Sequence, residues 1–197
     1  NIVAGSGADI LTGSNQADTI NGEGDNDTID GGAGNDSLLG GAGDDEITAG
    51  TGDDNIDGGD DADLIILSTN LTSGDTISGG DGSDELTYED AVAGGDELDN
   101  VTLVETITLG NANTTVVTVD TLVAAGATLT VDGSALNGNT LDWDGSAELD
   151  GKFSITSGNG NDTITVGAGD DTVTSGVGTD TITLTAGNNV VSAGDGN

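Results

Sequence analysis

An aspartate recurs every nine residues along the first third of this chain, at Asp9, Asp18, Asp27, Asp36, Asp45, Asp54 and Asp63. After a three-residue insertion the beat resumes at Asp75 and Asp84. It returns towards the C-terminus at Asp162, Asp171 and Asp180, with Asn189 in the following slot. Two residues after each stands an aliphatic side chain: Leu11, Ile20, Ile29, Leu38, Ile47, Ile56, Ile65, Ile77, Leu86, and later Ile164, Val173, Ile182 and Val191. A glycine-rich turn precedes the aspartate, most regularly in Gly31-Gly32-Ala33-Gly34-Asn35-Asp36 and Gly40-Gly41-Ala42-Gly43-Asp44-Asp45. The cycle is Gly-Gly-x-Gly-x-Asp-x-U-x, with U aliphatic. Ordinary helices and strands repeat at 3.6 and 2 residues. A sustained beat of nine instead predicts a stack of identical small units.

Each part of the cycle has a physical task. The glycines admit positive φ in a tight turn without steric cost. The x-U-x triplet predicts a very short strand whose aliphatic side chain points inward. Two turns and two strands, eighteen residues, close one coil, and successive coils stack at a strand spacing of roughly 4.8 Å. Turns eighteen residues apart then lie above one another, so that their aspartates and carbonyl groups face a shared gap. Such a gap suits a hard cation. Calcium takes roughly six to eight oxygen ligands in flexible geometry, whereas magnesium demands a tighter octahedron and keeps its waters. With no His and no Cys, zinc, copper and iron–sulfur sites have almost nothing to bind with. The twelve recurring aspartates are therefore candidate calcium ligands. A merely solvated acidic surface has no reason to hold Asp at one position in nine.

Composition makes the demand for cations sharper. The 197 residues include 37 acids and one base, Lys152, for a net charge of −36, with one Trp, one Tyr and one Phe. A compact form repels itself, and this composition ordinarily reads as disorder. Divalent cations cancel that repulsion, and their binding then supplies folding free energy. The same charge excludes nucleic acid, which needs a basic footprint, and anionic membranes repel it. No apolar run approaches a membrane span, so no direct membrane insertion is expected. Without His, neither a Ser-His-Asp triad nor a His-based zinc protease centre can be assembled. A regular carboxylate array lacks the unlike pair in a cleft that glycosidases use. No enzyme is expected. A chain that depends on calcium points to the calcium-rich exterior of the cell. Asn1 falls at cycle position seven and Asn197 at position five. That is expected of a window from a longer repetitive protein, or of ends that stack on other copies.

Three blocks are expected. Residues 1–87 form a first repeat block with flaws: Gln16, Asp25 and Asp61 replace the fourth-position glycine of their turns, and the insertion lies between Leu67 and Ser73. Cation sites using these turns are expected to be weaker. Residues 88–156 are poorer in glycine and richer in Thr, Val and Leu. They carry a twelve-residue beat, in Ile107, Val119, Val131, Trp143 and Ile155, with a second row of Val117, Leu129, Leu141 and Phe153. Alternation within each segment predicts strands, and two per coil give a wider, calcium-poor coil of about 24 residues on the same stacking logic. Asp120, Asp132 and Asp144 also recur at twelve and read as turn residues bonded to local amides, in preference to calcium ligands. Trp143 reads as a core filler before a carbohydrate platform. Residues 157–197 return to the nine-residue cycle. The fold class expected is all-β: a parallel β-roll or right-handed β-helix solenoid with a wider segment in its middle.

The nonapeptides resemble those of the RTX, or haemolysin-type, calcium-binding family, across about two thirds of the chain. The resemblance implies parallel β-rolls with calcium between neighbouring turns, bound by the twelve recurring aspartates and by turn carbonyls. It also implies type I secretion in an unfolded state, with folding outside the cell. RTX repeats occur in toxins, proteases, lipases, adhesins and surface-layer proteins, and the module does not choose among them. The mixture of β-roll and Thr/Val-rich blocks is similar to bacterial surface-layer proteins and long RTX adhesins. That favours a self-assembling protein of the bacterial cell surface, with copies of itself as partners. An adhesin stalk, or the secretion module of a larger toxin or enzyme, stands behind it.

Overall fold

The structure, a computed structural model, describes residues 1–89 and 97–195. Residue 90 to residue 96 and the last two positions, including the mid-cycle end at Asn197, lie outside the described residues. The secondary structure described is strand and turn, with no helix among the described residues. Parallel pairing throughout bears out the all-β solenoid. Contacts divide the chain into two compact units, Asn1–Tyr88 with Asn100–Glu105, and Glu89–Asp99 with Thr106–Asn197.

In the first unit, strands alternate between two faces. One face carries β1 (Ile2–Val3), β3 (Thr19–Gly24), β5 (Ser37–Ala42), β7 (Asn55–Asp60), β9 (Thr76–Asp81) and β11 (Val101–Thr102), in that order. The other carries β2 (Ile10–Thr12), β4 (Thr28–Asp30), β6 (Glu46–Thr48), β8 (Leu64–Ser68) and β10 (Glu85–Tyr88). The triplet strand expected at every repeat is found in β2, β4 and β6. In β3, β5, β7 and β9 the strand instead runs six residues, through the glycine positions of the next cycle. Glycine does not end these strands, because the backbones of adjacent coils still pair there, as Gly41 does with Gly59.

Register follows the sequence beat. Ile20 pairs with Leu38, Leu38 with Ile56, and on the other face Leu11 with Ile29 and Ile29 with Ile47, each a step of eighteen. Two aliphatic stacks therefore fill the coil interior, and Ile20, Ile29, Leu38, Ile47, Ile56, Ile65, Ile77 and Leu86 are all buried. Each such burial stabilises by roughly 1.5–3 kcal/mol, which is the apolar part of the fold's cohesion. The insertion lengthens one coil by three residues: Asn55 pairs with Thr76, and Leu64 with Glu85. Leu67 and Leu71 turn its extra length inward and are buried.

The second unit has β12 (Thr106–Leu109), β14 (Thr128–Asp132), β16 (Lys152–Thr156), β18 (Thr172–Thr174) and β20 (Val190–Ser192) on one face. The other face holds β13 (Thr114–Val117), β15 (Leu141–Asp144), β17 (Thr163–Thr165) and β19 (Thr181–Thr183). Coils here begin wide. Thr106 pairs with Thr130 and Thr128 with Lys152, steps of 24, before Ser154 pairs with Thr172 at a step of eighteen. Ile107, Val131, Ile155 and Val173 stack as one continuous row.

The other face departs from the twelve-residue beat. Trp143 stands against Val116, not Val119, and Thr114 stands against Leu141 where Val117 was expected. Val117 is exposed. The physical reason is a step of 27 between β13 and β15, compensated by one of 21 between β15 and β17, which pushes Val119 past the strand end. Trp143 is fully buried and meets Phe153 edge to face, ring centroids 5.5 Å apart, which makes it a core filler.

Two of the three flawed turns keep a positive φ at the fourth position. Gly34 and Gly43, at the fourth position, have φ of 121° and 122°, and Asp25 and Asp61 hold the same position at 68° and 77°. A non-glycine residue there costs about 1–3 kcal/mol. Asp25→Gly should therefore raise the melting temperature by about 2–4 °C at fixed calcium, the usual response of a domain this size to about 1 kcal/mol. Gly43→Ala should lower it, since its methyl carbon would lie 2.7 Å from the Asp25 carbonyl carbon. Thermal melts of the two variants check the pair, and a lower melting temperature for Asp25→Gly would show that the Asp25 carboxylate matters more than its backbone strain.

Candidate metal sites at the turn edges

The sixth-position aspartates line up along the coil edges. Asp9, Asp27, Asp45, Asp63 and Asp84 follow one edge of the first unit, and Asp18, Asp36, Asp54 and Asp75 the other. The link is the same at every step. The amide of Asp9 donates to Asp27 Oδ1 at 2.7 Å, that of Asp27 to Asp45 Oδ1 at 2.7 Å, and that of Asp45 to Asp63 Oδ1 at 2.9 Å. Each side chain thus reaches back one coil, and one of its two oxygens is committed to holding the stack.

The second oxygen is where the sites differ. In Asp27, Asp36, Asp45, Asp54, Asp63, Asp84 and Asp171, Oδ2 is buried and has no hydrogen-bond partner. A buried carboxylate oxygen with no donor is costly and rare in folded proteins. These oxygens share a surrounding. A methyl group built on Gly40, five residues before Asp45, would collide with Asp45 Oδ2 and with the carbonyl oxygen of Gly58 in the next coil. The same holds for Gly22 with Asp27 and the Gly40 carbonyl, and for Gly58 with Asp63 and the Gly79 carbonyl. Glycine at the first cycle position therefore keeps open a niche onto which a carboxylate oxygen and a carbonyl oxygen converge.

Elsewhere a protein donor takes the second oxygen. Asp18 Oδ2 accepts from the Ser14 amide at 2.7 Å and the Ser14 hydroxyl at 2.8 Å, and Asp75 Oδ2 accepts from the Thr72 amide of the insertion at 2.7 Å. Asp162 Oδ2 accepts from the Ser157 hydroxyl at 2.6 Å, where Ser157 replaces the first-position glycine. Asp9 and Asp180 are only partly buried. In the second unit Asp162 Oδ1 accepts from Leu141, Asp171 Oδ1 from Phe153, and Asp180 Oδ1 from Asp162.

Electrostatics at the edges follows burial first. Burial, opposed by an amide hydrogen bond and reinforced by neighbouring carboxylates, pushes Asp36, Asp45, Asp84 and Asp171 above the ordinary carboxyl value of 3.8. The same forces raise Asp54 to about 6 and Asp63, between Asp45 and Asp84, to about 7. Burial also raises Asp162. Asp18 moves the other way, lowered first by the Ser14 hydroxyl and then by the Ser14 amide. The raised carboxyls are those short of positive partners. Among the described residues the ion pair present is a marginal one, the N-terminal amine to Asp18 Oδ1 at 4.0 Å.

Two features of these edges escaped the sequence reading. Glu105 takes the aspartate slot beyond Asp84: its Oε2 accepts the Asp84 amide at 2.8 Å, across 21 residues. The signal was present, since Ile107 follows Glu105 at the interval at which the aliphatic follows each aspartate. The fifth cycle position forms a second ladder. Asn26 Oδ1 accepts from the Asp44 amide, Asn35 from Asp53, Asp44 from Ala62, Asn161 from Thr179 and Asp170 from Asn188. Its bonds run opposite to those of the sixth position, from a later amide to an earlier side chain. The recurrence of Asn or Asp before the sixth-position aspartate was legible and its purpose was not.

Among the three aspartates of the twelve-residue beat, two cap local turns. Asp132 Oδ1 accepts from the Ser134 amide at 2.9 Å and Asp144 Oδ1 from that of Ser146 at 3.0 Å. Asp120 does not follow them. It accepts from the amide of Leu149, 29 residues away, at 2.9 Å, because the wide coil brings that turn alongside.

The donors of the nonapeptide edges are all oxygen, carboxylate and carbonyl, in niches of one repeating shape, and buried oxygens without donors aim into them. That chemistry fits a hard divalent cation and calcium before magnesium. No curated protein matches the chain. The family model of the RTX calcium-binding nonapeptide repeat (4 copies) matches residues 3–38, 30–65, 72–91, 154–182 and 174–197. These spans cover more than half of the sequence and coincide with the ladders just described: the chain belongs to the RTX calcium-binding nonapeptide-repeat family.

Proposed function

We propose that this chain is an extracellular structural protein that folds on binding calcium and assembles with copies of itself at a bacterial cell surface. The observation that carries the calcium part is the row of buried Oδ2 atoms without hydrogen-bond donors at Asp27, Asp36, Asp45, Asp54, Asp63, Asp84 and Asp171. With carbonyls of the neighbouring coil, these oxygens would hold the ions. Asp9, Asp18, Asp75, Asp162 and Asp180 complete the proposed ligand set, in weaker sites. Bound calcium supplies the positive charge that the chain itself lacks. The protein's own part is to hold each carboxylate by its Oδ1, to keep a niche clear with glycine, and to stack like charges that repel in the ion's absence.

The three blocks divide this work in the proposed reading. Residues 1–87 and 157–197 are loaded by calcium, while residues 88–156 hold together through apolar rows. The surface assignment rests on the family's habit of secretion, on net charge −36, and on the absence of any helix long and apolar enough to cross a membrane among the described residues. Exposed apolar residues at Ile10, Val190 and Val191 favour association with further copies. An adhesin stalk or the secretion module of a larger RTX protein would use the same calcium chemistry without self-assembly. Light scattering across a calcium titration separates them: growth of large species that chelator reverses supports assembly, and a folded monomer that never grows returns the chain to the stalk or module.

Single ligands should differ in weight. Asp45→Ala removes a buried Oδ2 without a donor and one rung between Asp27 and Asp63. Asp18→Ala removes a carboxylate whose Oδ2 is already bonded to Ser14. Calorimetric titration should show Asp45→Ala losing up to two calcium sites and Asp18→Ala losing less. Equal losses would mean that the free oxygen does not decide affinity.

A further inference from the structure

We propose that Asp120, Glu148 and Asp150 form a calcium site outside the nonapeptide array, between the turns of two successive wide coils. The site goes beyond the proposed function, since the family model does not reach residues 92–153. Its three residues lie in the second unit, on the turn between β13 and β14 and the turn between β15 and β16. One carboxylate oxygen from each lies within 4.8 Å of the others.

Three clustered acids are common on acidic surfaces, and Glu148 sets this group apart. Its side chain is completely buried, and Oε2 has no hydrogen-bond partner. Oε1 already accepts the Gly151 amide at 2.8 Å and the Asp150 amide at 3.2 Å. A residue serving only as a turn cap is satisfied by that one oxygen, yet Glu148 keeps a second carboxylate oxygen buried without a donor in a group that already holds two more carboxylates. A buried charge of this kind is stable when paired or when it coordinates a metal. No ion pair reaches the group among the described residues, and Lys152, two residues from Asp150, makes none.

The surroundings hold the three in place before any ion arrives. Leu149 donates to Asp120 Oδ1 at 2.9 Å, and Gly126 donates to the Asp150 carbonyl at 2.9 Å, so two bonds tie the turns together. The Glu148 amide and carbonyl are both used, by Gly145 at 3.1 Å and Ala168 at 2.9 Å. Asp120 thereby differs from Asp132 and Asp144, which spend their oxygens on their own turns. An all-oxygen carboxylate set, two of whose acids are exposed to solvent, suits a hard cation over transition metals, and calcium tolerates irregular oxygen geometry better than magnesium.

The test uses the full chain in saturating calcium. Equilibrium dialysis should show Glu148→Gln binding one equivalent of calcium fewer than the wild type, with the remaining ions retained. In a calcium titration followed by amide NMR, signals of Leu149, Asp150 and Gly151 should shift in the wild type and stay still in Glu148→Gln. Asp45→Ala serves as the separate control: it should lose array ions and leave these three signals shifting. Because Glu148 also acts on the Asp171 carboxyl of the array, the exposed Asp120→Asn and Asp150→Asn give the decision by the same two readings. Unchanged stoichiometry together with unchanged shifts in these variants would overturn the site, whatever the array does.

Discussion

Removing calcium should turn the nonapeptide blocks from β-structure into coil, and restoring millimolar calcium should turn them back. The reason lies in the ladders rather than in the charge total alone. Carboxylates such as Asp27, Asp45 and Asp63 succeed one another at the spacing of coils, roughly 4.8 Å, and each is buried. Like charges so close repel strongly even at high effective dielectric. An ion that binds the folded form alone at a hundred times its dissociation constant contributes about 2.7 kcal/mol. Two to four such sites equal the whole stability of an ordinary domain, about 5–15 kcal/mol. Circular dichroism in chelator should therefore show a large loss of β signal, with the residue confined mainly to 100–156. There Ile107, Val131 and Ile155 stack in one row, Leu129 stacks on Phe153, and Trp143 meets Phe153 edge to face. Magnesium at equal concentration should restore little. A β spectrum unchanged in chelator would remove calcium from the folding argument.

The repeat was legible because its period is chemical. An Asp that must reach back one coil, and an aliphatic that must point inward two residues later, leave a mark in every cycle. Positions such as Asp45 and Ile47 could be placed before any coordinates were known. What the sequence hid was choice between equal oxygens. The only mark in the letters that separates Asp45, with its Oδ2 free, from Asp162, whose Oδ2 takes the Ser157 hydroxyl, is Ser157 in the slot that Gly40 fills for Asp45, and its meaning shows only once the hydroxyl is placed. Asp25 and Asp61 accept positive φ, so their turns survive at the expense of strain and not of shape. The wide coils were legible only on one face. Ile107, Val131 and Ile155 keep the 24-residue step, while the opposite face takes 27 and then 21, and a beat of twelve averages the two. Asp120 and Glu148 were invisible as partners because a turn-to-turn meeting across a coil of irregular length leaves no period at all.

The slope of stability against pH should change sign with calcium. In the metal-free coil, burial and neighbouring carboxylates raise Asp54 to about 6 and Asp63 to about 7, from 3.8 in the ordinary state. Between those limits the folded chain holds protons that the unfolded chain has released. Stability then falls as pH rises through the window from about 4 to about 7, and it is greatest below it. Asp36, Asp45, Asp84, Asp162 and Asp171 act in the same direction. Asp18, lowered by Ser14, acts against them and is outnumbered. With calcium bound the balance reverses, because each ligand must be deprotonated. The folded state then binds fewer protons than the unfolded one, and its stability rises with pH and is lost in acid. Acid thus resembles chelation only in that it expels the ion. The coil left behind is less repelled at pH 4.5 than at pH 7.5. Protein freed of metal by dialysis should show more β signal at the lower pH, and the same protein in millimolar calcium should show more at the higher. Raising calcium should also move the acid limb to lower pH, since protons and metal compete for the same oxygens. Two curves that both fall in acid, regardless of calcium, would mean that the ladder carboxylates neither repel in the empty coil nor hold the ion in the full one.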